Sequence, residues 1–443
     1  MTPDELKTKV GTIIVLMMEN RSFDNVLGHL RHPDEGNRLE VNGVEDFKND
    51  RYMNKNTDGI GIRPFWRADA PFVSDLPHNS AAVREQMNFS IFANDFLMDG
   101  FVRAFEDQFH TIVDDSPVMG LLRAKDLPTT SPLASQYTVC DNWFACVPTS
   151  TAPNRLMSMC GETAIAETGI FLPEQATVYD WLLAHGVRWR VYAAGLPFFA
   201  LMPRIAPLIL TGHFRRLSDL ANDVANESAA DWPEVIFIEP DYYDCPIHFH
   251  PPCDNHAPLA MAPGEAFAGE IYKTLTSHPG KWSRSVLVCS YDEHGGLFDH
   301  VRPLAVKYRH PNGVAFDTTG PRTPTIVAGP YAPKRGVSHL QLDNTSLLQM
   351  FAERFGSPGE TYSPQVLGRS QQGIQSVSAL LDASAANGAV CTLRDGAAVG
   401  AATVVDNSDM RKAFDGAIRA IVGQHQTEAY AKFPELRGYV SGP

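Results

Sequence analysis

The stretch SVLVCSYDEHGGLFDHV, residues 285–301, places carboxylates and imidazoles directly after an apolar run. Its first seven residues are rich in β-branched and apolar side chains and predict a buried strand. The ionisable residues that follow are Asp292, Glu293, His294, Asp299 and His300. Such groups are costly to bury unless they are paired, and a divalent cation is a common partner. The alternative is a solvated turn that carries ordinary surface acids at the end of a strand.

Composition indicates a globular protein with a large core and a negative surface. The chain has 443 residues, of which 44% are hydrophobic and 20% are charged, and its net charge is −14. This charge disfavours a nucleic-acid partner, and it disfavours docking on anionic lipid by charge alone. No apolar run approaches the roughly 18 residues that a transmembrane segment needs. The seven cysteines are scattered, which predicts reduced thiols rather than a disulfide framework.

The amino-terminal segment MTPDELKTKVGTIIVLMMEN lacks the basic region, apolar region and small-residue cleavage site of a secretion signal. We therefore expect a cytoplasmic protein, or a mature secreted or periplasmic form whose leader has been removed. Residues 12–18 are instead a continuous apolar run, as expected of a central parallel strand. Glu19 and Asn20 follow it directly. Because ligands in open α/β sheets bind beyond the carboxyl ends of strands, we expect Glu19–Asn20 and Asp292–Glu293 at one sheet edge.

Apolar runs alternate with amphipathic segments along the rest of the chain. The further predicted strands are residues 137–141, 188–193, 234–239 and 324–328, and the predicted helices are residues 80–88, 177–185, 217–225, 264–276, 344–355 and 409–422. This alternation predicts an α/β fold with a doubly wound, mostly parallel sheet flanked by helices.

The chain is expected to contain one catalytic domain, residues 1–360, with an extension, residues 361–443, packed on it. Segments around residues 36–130 and 196–260 are expected as insertions that form a cap. Residues 196–210 are strongly apolar but broken by prolines, which fits either core beneath a loop or a lid that faces lipid. A loop containing Cys245, His248, His250 and Cys253 lacks a standard zinc spacing, so an irregular loop is favoured over a zinc site.

A second segment with candidate catalytic residues, VPTSTAPNRLMSMCG, covers residues 147–161. Pro153 suits the first turn of a helix, and Gly161 suits its end. Thr151 is therefore expected at or just before a helix amino terminus, where free N–H groups and the helix dipole favour an anion. A lone threonine there is usually only a helix cap. A hydroxyl that also faces a metal ion is a nucleophile candidate, because a cation stabilises the alkoxide.

Three segments together resemble the bacterial phosphoesterase family, which contains non-haemolytic phospholipases C and acid phosphatases. They are ENRSFDNVLG at residues 19–28, VPTSTAPNRLMSMCG at residues 147–161 and YDEHGGLFDHV at residues 291–301. The likeness extends over about residues 12–355 in the order found in the family. It implies a fold similar to the alkaline phosphatase and sulfatase superfamily. It also implies a hydrolase of phosphate esters that binds a divalent metal ion, one of Zn, Ca, Mn, Fe or Mg.

The resemblance implies roles for individual residues. Thr151 matches the hydroxyl nucleophile of the family. His78 and His256 match histidines that contact the phosphate and assist the leaving group. Asp299 and His300 match positions expected behind the metal ligands. The residues implied to hold the metal ion or the phosphate are Glu19, Asn20, Thr151, Asp292 and Glu293, of which Asn20 can also donate to a phosphoryl oxygen.

The chain departs from the family pattern at two places. Thr149–Ser150 stands where relatives often have Gly-Pro, so Ser150 is a rival nucleophile. Asn344 stands where a helix in relatives often starts with His, which predicts a change in substrate specificity.

Three functions fit these residues. The first is a phospholipase C-type phosphodiesterase that uses Thr151 on phosphatidylcholine-like lipids, and the apolar pair Phe198–Phe199 favours it. The second is an acid phosphatase, a phosphomonoesterase with the same site. The third is a protein that binds metal or phosphate without turnover. A sulfatase is disfavoured, because threonine at position 151 cannot become the aldehyde that sulfatases use. The expected partner is a phosphate ester, with a phospholipid as the leading candidate.

Overall fold

An eight-stranded sheet runs through the centre of the protein. The computed structural model describes residues 1–385, 387–396 and 408–440. The remaining positions of the predicted carboxy-terminal extension lie outside the described residues. The strands are β1 (Thr12–Met18), β2 (Thr138–Cys140), β3 (Trp189–Ala193), β4 (Phe214–Arg216), β5 (Val235–Glu239), β6 (Ser285–Tyr291), β7 (Ile326–Ala328) and β8 (Val337–Ser338). Their spatial order is β4-β3-β5-β1-β6-β7-β2-β8.

The sheet is parallel except at β7, which is antiparallel to both β6 and β2. β1 lies between β5 and β6, and all of its residues are buried. Its unbroken apolar sequence suits a strand that is covered on both faces. The predicted α/β class with a mostly parallel sheet is therefore confirmed.

Helices connect and cover the strands. They are α1 (Pro3–Lys9), α2 (Phe23–Leu27), α3 (Ser80–Met87), α4 (Phe101–Phe109), α5 (Thr130–Gln136), α6 (Thr151–Cys160), α7 (Val178–Ala184), α8 (Ala206–Ile209), α9 (Leu220–Asn226), α10 (Ala262–Thr276), α11 (Pro279–Trp282), α12 (Thr345–Phe355), α13 (Pro364–Gln371), α14 (Asp409–Lys432) and α15 (Leu436–Val440). The predicted helices are present. α14 runs ten residues beyond its predicted end at Val422, with non-helical backbone angles at His425. In the described ranges, no helix has the length and hydropathy that crossing a membrane requires.

Short elements complete the chain. Two-residue strands pair as Asn54–Lys55 with Gly61–Ile62, Phe65–Trp66 with Gly120–Leu121, Phe89–Ser90 with Asp95–Phe96, Trp143–Phe144 with Leu342–Asp343, and Tyr308–Arg309 with Ala315–Phe316. Single 3₁₀ turns cover Gly28–Leu30, Asp50–Tyr52, Pro117–Met119, Ala124–Asp126, Phe198–Leu201, Pro203–Ile205, Leu217–Asp219 and Val377–Leu380.

The two largest of three apolar clusters among the described residues support this arrangement. The larger surrounds the sheet and includes residues of α14 such as Phe414 and Ile418. The smaller lies mainly within residues 44–121 and includes Val44, Val83, Phe101 and Met119. The long polar excursion after α2 therefore folds around apolar side chains of its own.

The apolar stretch at residues 196–210 belongs to the core. Phe198 and Phe199 are each about 1% exposed, and they join the large cluster around the sheet. The expectation that this pair favours a lipid substrate therefore loses its basis, because neither ring is available to a lipid. Of the two alternatives for this stretch, core beneath a loop is the one observed.

A buried ion-pair network joins α2 to the loop after β6. Arg322 contacts Asp24 at 3.0 Å and Asp299 at 2.9 Å, and all three side chains are fully buried. His300 Nδ1 lies 2.6 Å from the other oxygen of Asp24. The guanidinium of Arg322 also lies over the ring of Phe23. These contacts hold the start of α2 against the end of the loop after β6, which contains Gly295 and Gly296.

Replacing Arg322 with methionine is expected to destabilise the protein by about 3–5 kcal/mol, because two buried carboxylates lose their partner. Urea denaturation measures this change. Arg419, which pairs with Asp415 on the exposed surface of α14, provides the control. Arg419→Ala is expected to leave the midpoint unchanged, and an equal loss in both variants would contradict the assignment.

His29 gives a pH-dependent contribution to stability. It is fully buried, its Nδ1 lies 2.9 Å from the carbonyl of Val26, and burial lowers its pKa to about 4. The unfolded histidine, with a pKa of about 6.5, binds a proton first as the pH falls, so stability is lost in this window. Between pH 7 and pH 4.5 the wild type is expected to lose about 2 kcal/mol relative to His29→Asn. Parallel urea titrations measure the difference, and a difference that does not vary with pH would contradict the burial argument.

Candidate active site

The carboxyl ends of β1 and β6 bring the predicted acidic residues together. The strands are in register, with Met18 opposite Tyr291, so the residues that follow meet at one edge. The backbone N–H of Asn20 donates to Asp292 Oδ1 at 3.2 Å, as expected for neighbouring strand ends. Asn20 has a φ of 58°, and a Cβ on Gly295 would lie 2.2 Å from its carbonyl oxygen. Glycine is therefore required at position 295.

Thr151 lies against this edge at the amino terminus of α6. It is the first residue of the helix, and its hydroxyl donates to Asn20 Oδ1 at 3.3 Å. The hydroxyl of Ser150 has other partners, since it accepts from the N–H of Thr168 at 2.9 Å and lies 3.4 Å from Glu167. The structure therefore places the Thr151 hydroxyl beside the residues that follow β1 and β6, namely Glu19, Asn20, Asp292 and Glu293, which we call the strand-end cluster. The Ser150 hydroxyl instead contacts the neighbouring loop.

The two predicted histidines share a carboxylate. Asp75 Oδ2 lies 3.3 Å from His78 Nε2, and Asp75 Oδ1 lies 3.0 Å from His256 Nε2. The histidine rings are 5.5 Å apart. His78 Nδ1 also contacts Glu293 at 2.6 Å. Burial alone would lower the pKa of both histidines. Glu293 and Asp75 nevertheless raise the pKa of His78 well above its usual range, and Asp75, Asp244 and Glu19 do the same for the pKa of His256.

Arg155 is the main residue that sequence reasoning missed. Its guanidinium lies 3.1 Å from Glu19 and 3.4 Å from Asp292, and it faces the rings of Phe198 and Tyr242 at 5.4 Å from each. It follows Thr151 by four residues, about one helical turn, so both side chains fall on one face of α6. That spacing could have indicated Arg155 as a partner of the strand-end acids.

Three further carboxylates near the histidines carried no predicted role. They are Asp75, Asp244 and Asp254, which lie close to His78 or His256 in the sequence or in space. Their positions depend on how the loops fold, although Asp254 and Asp75 also lie within three residues of a predicted histidine.

A cavity of about 510 Å³ gives access to this group of residues. Thr151, His78 and His256 line it, together with the carboxylates Asp75, Glu167, Asp244 and Asp409. Lysine and arginine are absent from the lining that the described residues provide. The cleft is therefore acidic, and its positive groups are the two histidines.

Other predicted residues lie elsewhere. Asp299 and His300 belong to the Arg322 network and contact Arg322, Asp24 and Asn42. Asn344 accepts from the indole of Trp143 and donates to the carbonyl of Tyr291, so it supports the end of β6.

The loop that contains Cys245, His248, His250 and Cys253 is formed of turns and bends. His248 contacts Asp241 at 2.8 Å, and Cys245 and Cys253 are buried free thiols. All seven cysteines are free, which agrees with the predicted absence of a disulfide framework.

Residues around the strand ends fit a divalent cation, although Glu19 is the one predicted carboxylate ligand that belongs to the groups of converging ligand atoms among the described residues. Glu19, Asp254 and His256 present ligand atoms within 4.8 Å of one another, and Asp75, His78 and His256 do the same. Asp292 Oδ2 and Asn20 Nδ2 are buried and have no hydrogen-bond partner among the described residues. Burial, with Glu19 and Glu293 nearby, raises the pKa of Asp292 to about 8 despite Arg155. Burial also acts to raise the pKa of Glu293, but His78 and His294 together outweigh burial and lower that pKa to about 2. Excess negative charge of this kind is what a cation would neutralise.

The chain belongs to the Phosphoesterase family, whose sequence model matches residues 10–358. This finding confirms the family resemblance seen in the three motifs.

Curated relatives include phospholipases C. Non-specific phospholipase C1 of Arabidopsis thaliana is 31% identical over 357 residues, which cover 76% of this chain and 64% of that protein. Phospholipase C A of Mycobacterium tuberculosis is 27% identical, with 79% of this chain and 74% of that protein covered. Non-hemolytic phospholipase C of Burkholderia pseudomallei is 26% identical, with 81% and 57% covered. The chain thus spans less than two thirds of the length of the plant phospholipase C1 that it matches.

Similar solved structures are more distant. The lipoteichoic acid synthase LtaP from Listeria monocytogenes aligns with 96% of this chain and 94% of its own at 11% identity and a TM-score of 0.38. The phosphonate monoester hydrolase SpPMH from Silicibacter pomeroyi aligns with 58% of this chain and 72% of its own at 11% identity and a TM-score of 0.35.

Asp292→Asn and Glu293→Gln are expected to weaken binding of a divalent cation about tenfold or more, because each removes a charge from the strand-end cluster. Metal analysis of the purified protein and titration with Mn²⁺ or Zn²⁺ measure the change. Glu265→Gln is the matched control, since Glu265 is a buried carboxylate held by Thr129 and Thr130. Equal metal content in wild type and all three variants would show that the cation does not bind at the strand ends.

Proposed function

We propose that this protein is a metal-dependent phosphoric ester hydrolase with Thr151 as its nucleophile, and that its substrates are phosphodiesters of the phospholipase C type. The observation that carries the proposal is the contact of the Thr151 hydroxyl with Asn20 at the joined ends of β1 and β6. Membership of the Phosphoesterase family and the names of the curated relatives support it.

The nucleophile is oriented by the fold. Thr151 is 4% exposed and lies at the positive end of α6, so a phosphate group in the cleft faces both its hydroxyl and the helix terminus. Asn20 holds the hydroxyl with its carbonyl oxygen, and its unpaired Nδ2 can donate to a phosphoryl oxygen. Attack by Thr151 Oγ on phosphorus breaks the bond to the leaving alkoxide and forms a threonine phosphodiester that keeps the other substituent, while the hydroxyl proton passes to solvent. Water then hydrolyses the threonine ester and releases the phosphorylated group.

The histidines supply the proton for the leaving group. His78 and His256 both line the cleft with Thr151, and their raised pKa values keep them protonated near neutral pH. A protonated imidazole beside the substrate donates to the departing alkoxide oxygen. Asp75 contacts both rings and fixes their orientation.

A divalent cation would be held by members of the set Glu19, Asn20, Thr151, Asp292 and Glu293, with Asp254 within reach of Glu19. When bound, it supplies positive charge that lowers the cost of forming an alkoxide and neutralises phosphoryl oxygens.

The charge of the cleft favours a diester over a monoester. A phosphodiester carries one negative charge, whereas a monoester near neutral pH carries close to two. Asp75, Glu167, Asp244 and Asp409 face the cavity, so the second charge of a monoester meets more repulsion. Phosphomonoesterase activity with the same nucleophile is the second candidate, and the two histidines are the groups that favour it.

Steady-state hydrolysis of p-nitrophenyl phosphorylcholine beside p-nitrophenyl phosphate tests the proposal. We expect the diester to be preferred, activity to be lost with a chelator, and Thr151→Ala to lower kcat by at least about a thousandfold. Ser150→Ala is the matched control and is expected to retain most of the activity.

Each alternative outcome has a definite meaning. Preference for p-nitrophenyl phosphate would make the protein a phosphomonoesterase with the same machinery. Loss of activity in Ser150→Ala with retention in Thr151→Ala would move the nucleophile to Ser150. The absence of turnover for both substrates, together with bound metal, would favour a binding protein.

A further inference from the structure

The long helix α14, near the carboxy-terminal end of the described residues, reaches the cleft. Ser408, Asp409 and Met410 line the same cavity as Thr151 and His256. These residues lie beyond position 358, where the match to the family ends. The family match therefore does not account for the place of α14 at the cleft.

One contact from α14 leads to His256. Ser408 Oγ donates to Asp244 Oδ1 at 2.5 Å, and Asp244 Oδ2 lies 3.4 Å from His256 Nδ1. The same hydroxyl accepts from the N–H of Arg411 and caps the helix. A hydrogen bond that fixes one oxygen of a carboxylate also fixes the direction of the other, so Ser408 aims Asp244 at the imidazole.

A second, independent contact leads to Arg155. Phe414 is fully buried and stacks on Tyr242, with ring centroids 5.8 Å apart. It also lies edge-on to Phe198 at 6.5 Å. Tyr242 and Phe198 are the two rings that face the Arg155 guanidinium. Phe414 therefore packs against Tyr242 and Phe198, and these two rings position the Arg155 guanidinium near Glu19 and Asp292.

We propose that α14 is a positioning element of the active site, in which Ser408 orients His256 through Asp244 and Phe414 holds Tyr242 and Phe198 around Arg155. The inference rests on the proposed function. Ser408 and Phe414 do not contact the reacting atoms, so both act through other side chains.

Ser408 is tested by a series that separates helix capping from the contact with Asp244. Aspartate caps a helix as well as serine does but cannot donate to a second carboxylate, whereas threonine can do both. We expect Ser408→Thr to keep its activity, and Ser408→Asp to lower kcat about tenfold or more with a smaller change in KM. Ser363→Ala is the control, because Ser363 caps α13 in the same way without contacting the cleft.

Phe414 is tested against an equivalent aromatic pair farther along the chain. Phe433, which follows α14, stacks on Phe249 with ring centroids 5.4 Å apart. Phe414→Leu and Phe433→Leu each remove one buried stacked ring. We expect the first to lower kcat about tenfold and the second to leave it within about twofold, because only Phe414 supports the residues around Arg155.

The outcomes distinguish this inference from the proposed function. Equal kcat values for Ser408→Asp, Phe414→Leu and their controls would overturn the role of α14 and leave the hydrolase intact. If the wild type hydrolyses neither p-nitrophenyl ester, the proposed function fails. Crystal structures of Ser408→Asp and Phe414→Leu then test whether Ser408 and Phe414 position the side chains of the cleft. We expect Asp244 to move away from His256 in the first and Arg155 to move away from Glu19 in the second. Unchanged contacts in both would overturn the inference.

Discussion

The parallel pairing of β1 with β6 is the constraint on which the site depends. Because Met18 lies opposite Tyr291, the chain delivers Glu19, Asn20, Asp292 and Glu293 to one buried edge. Three carboxylates at such an edge repel one another and lose their hydration, so the surrounding residues have to compensate for both effects. Much of the chemistry of the cleft follows from how this compensation is arranged.

The compensation comes from several parts of the chain. α6 contributes Arg155 together with Thr151, so the proposed nucleophile and the main counter-charge share one helix. The segment before α3 contributes His78, and the loop after β5 contributes His256, and both approach through Asp75. Asp292 retains a raised pKa despite these partners, so the negative charge at the strand ends is not fully compensated, and a cation could compensate it. By contrast, the Arg322 network pairs its carboxylates closely and holds the fold together.

The sequence predicted the central strands well, because residues 12–18 and 285–291 are continuous apolar runs and burial on both faces leaves no other place for them. It predicted a strand near residue 326 but not its antiparallel direction, since an apolar run does not encode orientation. The residues that contact the predicted histidines were harder to predict from the sequence. Asp75 lies in a polar stretch without periodicity, and its role appears only when the loops bring both histidines to it. Phe198 and Phe199 were open to two interpretations, because apolar sequence alone does not distinguish core from a surface that faces lipid. The assignments of Thr151, His78, His256 and the metal ligands stay predictions that the geometry supports.

A threonine nucleophile requires that Thr151 be covalently modified during turnover, and mass spectrometry of acid-quenched enzyme detects that modification. The wild type would be mixed with p-nitrophenyl phosphorylcholine, quenched during the steady state, digested and fragmented to locate the modified residue. We expect a phosphorylcholine ester on Thr151 that disappears when the substrate is exhausted. A label on Ser150 or on a histidine would contradict it.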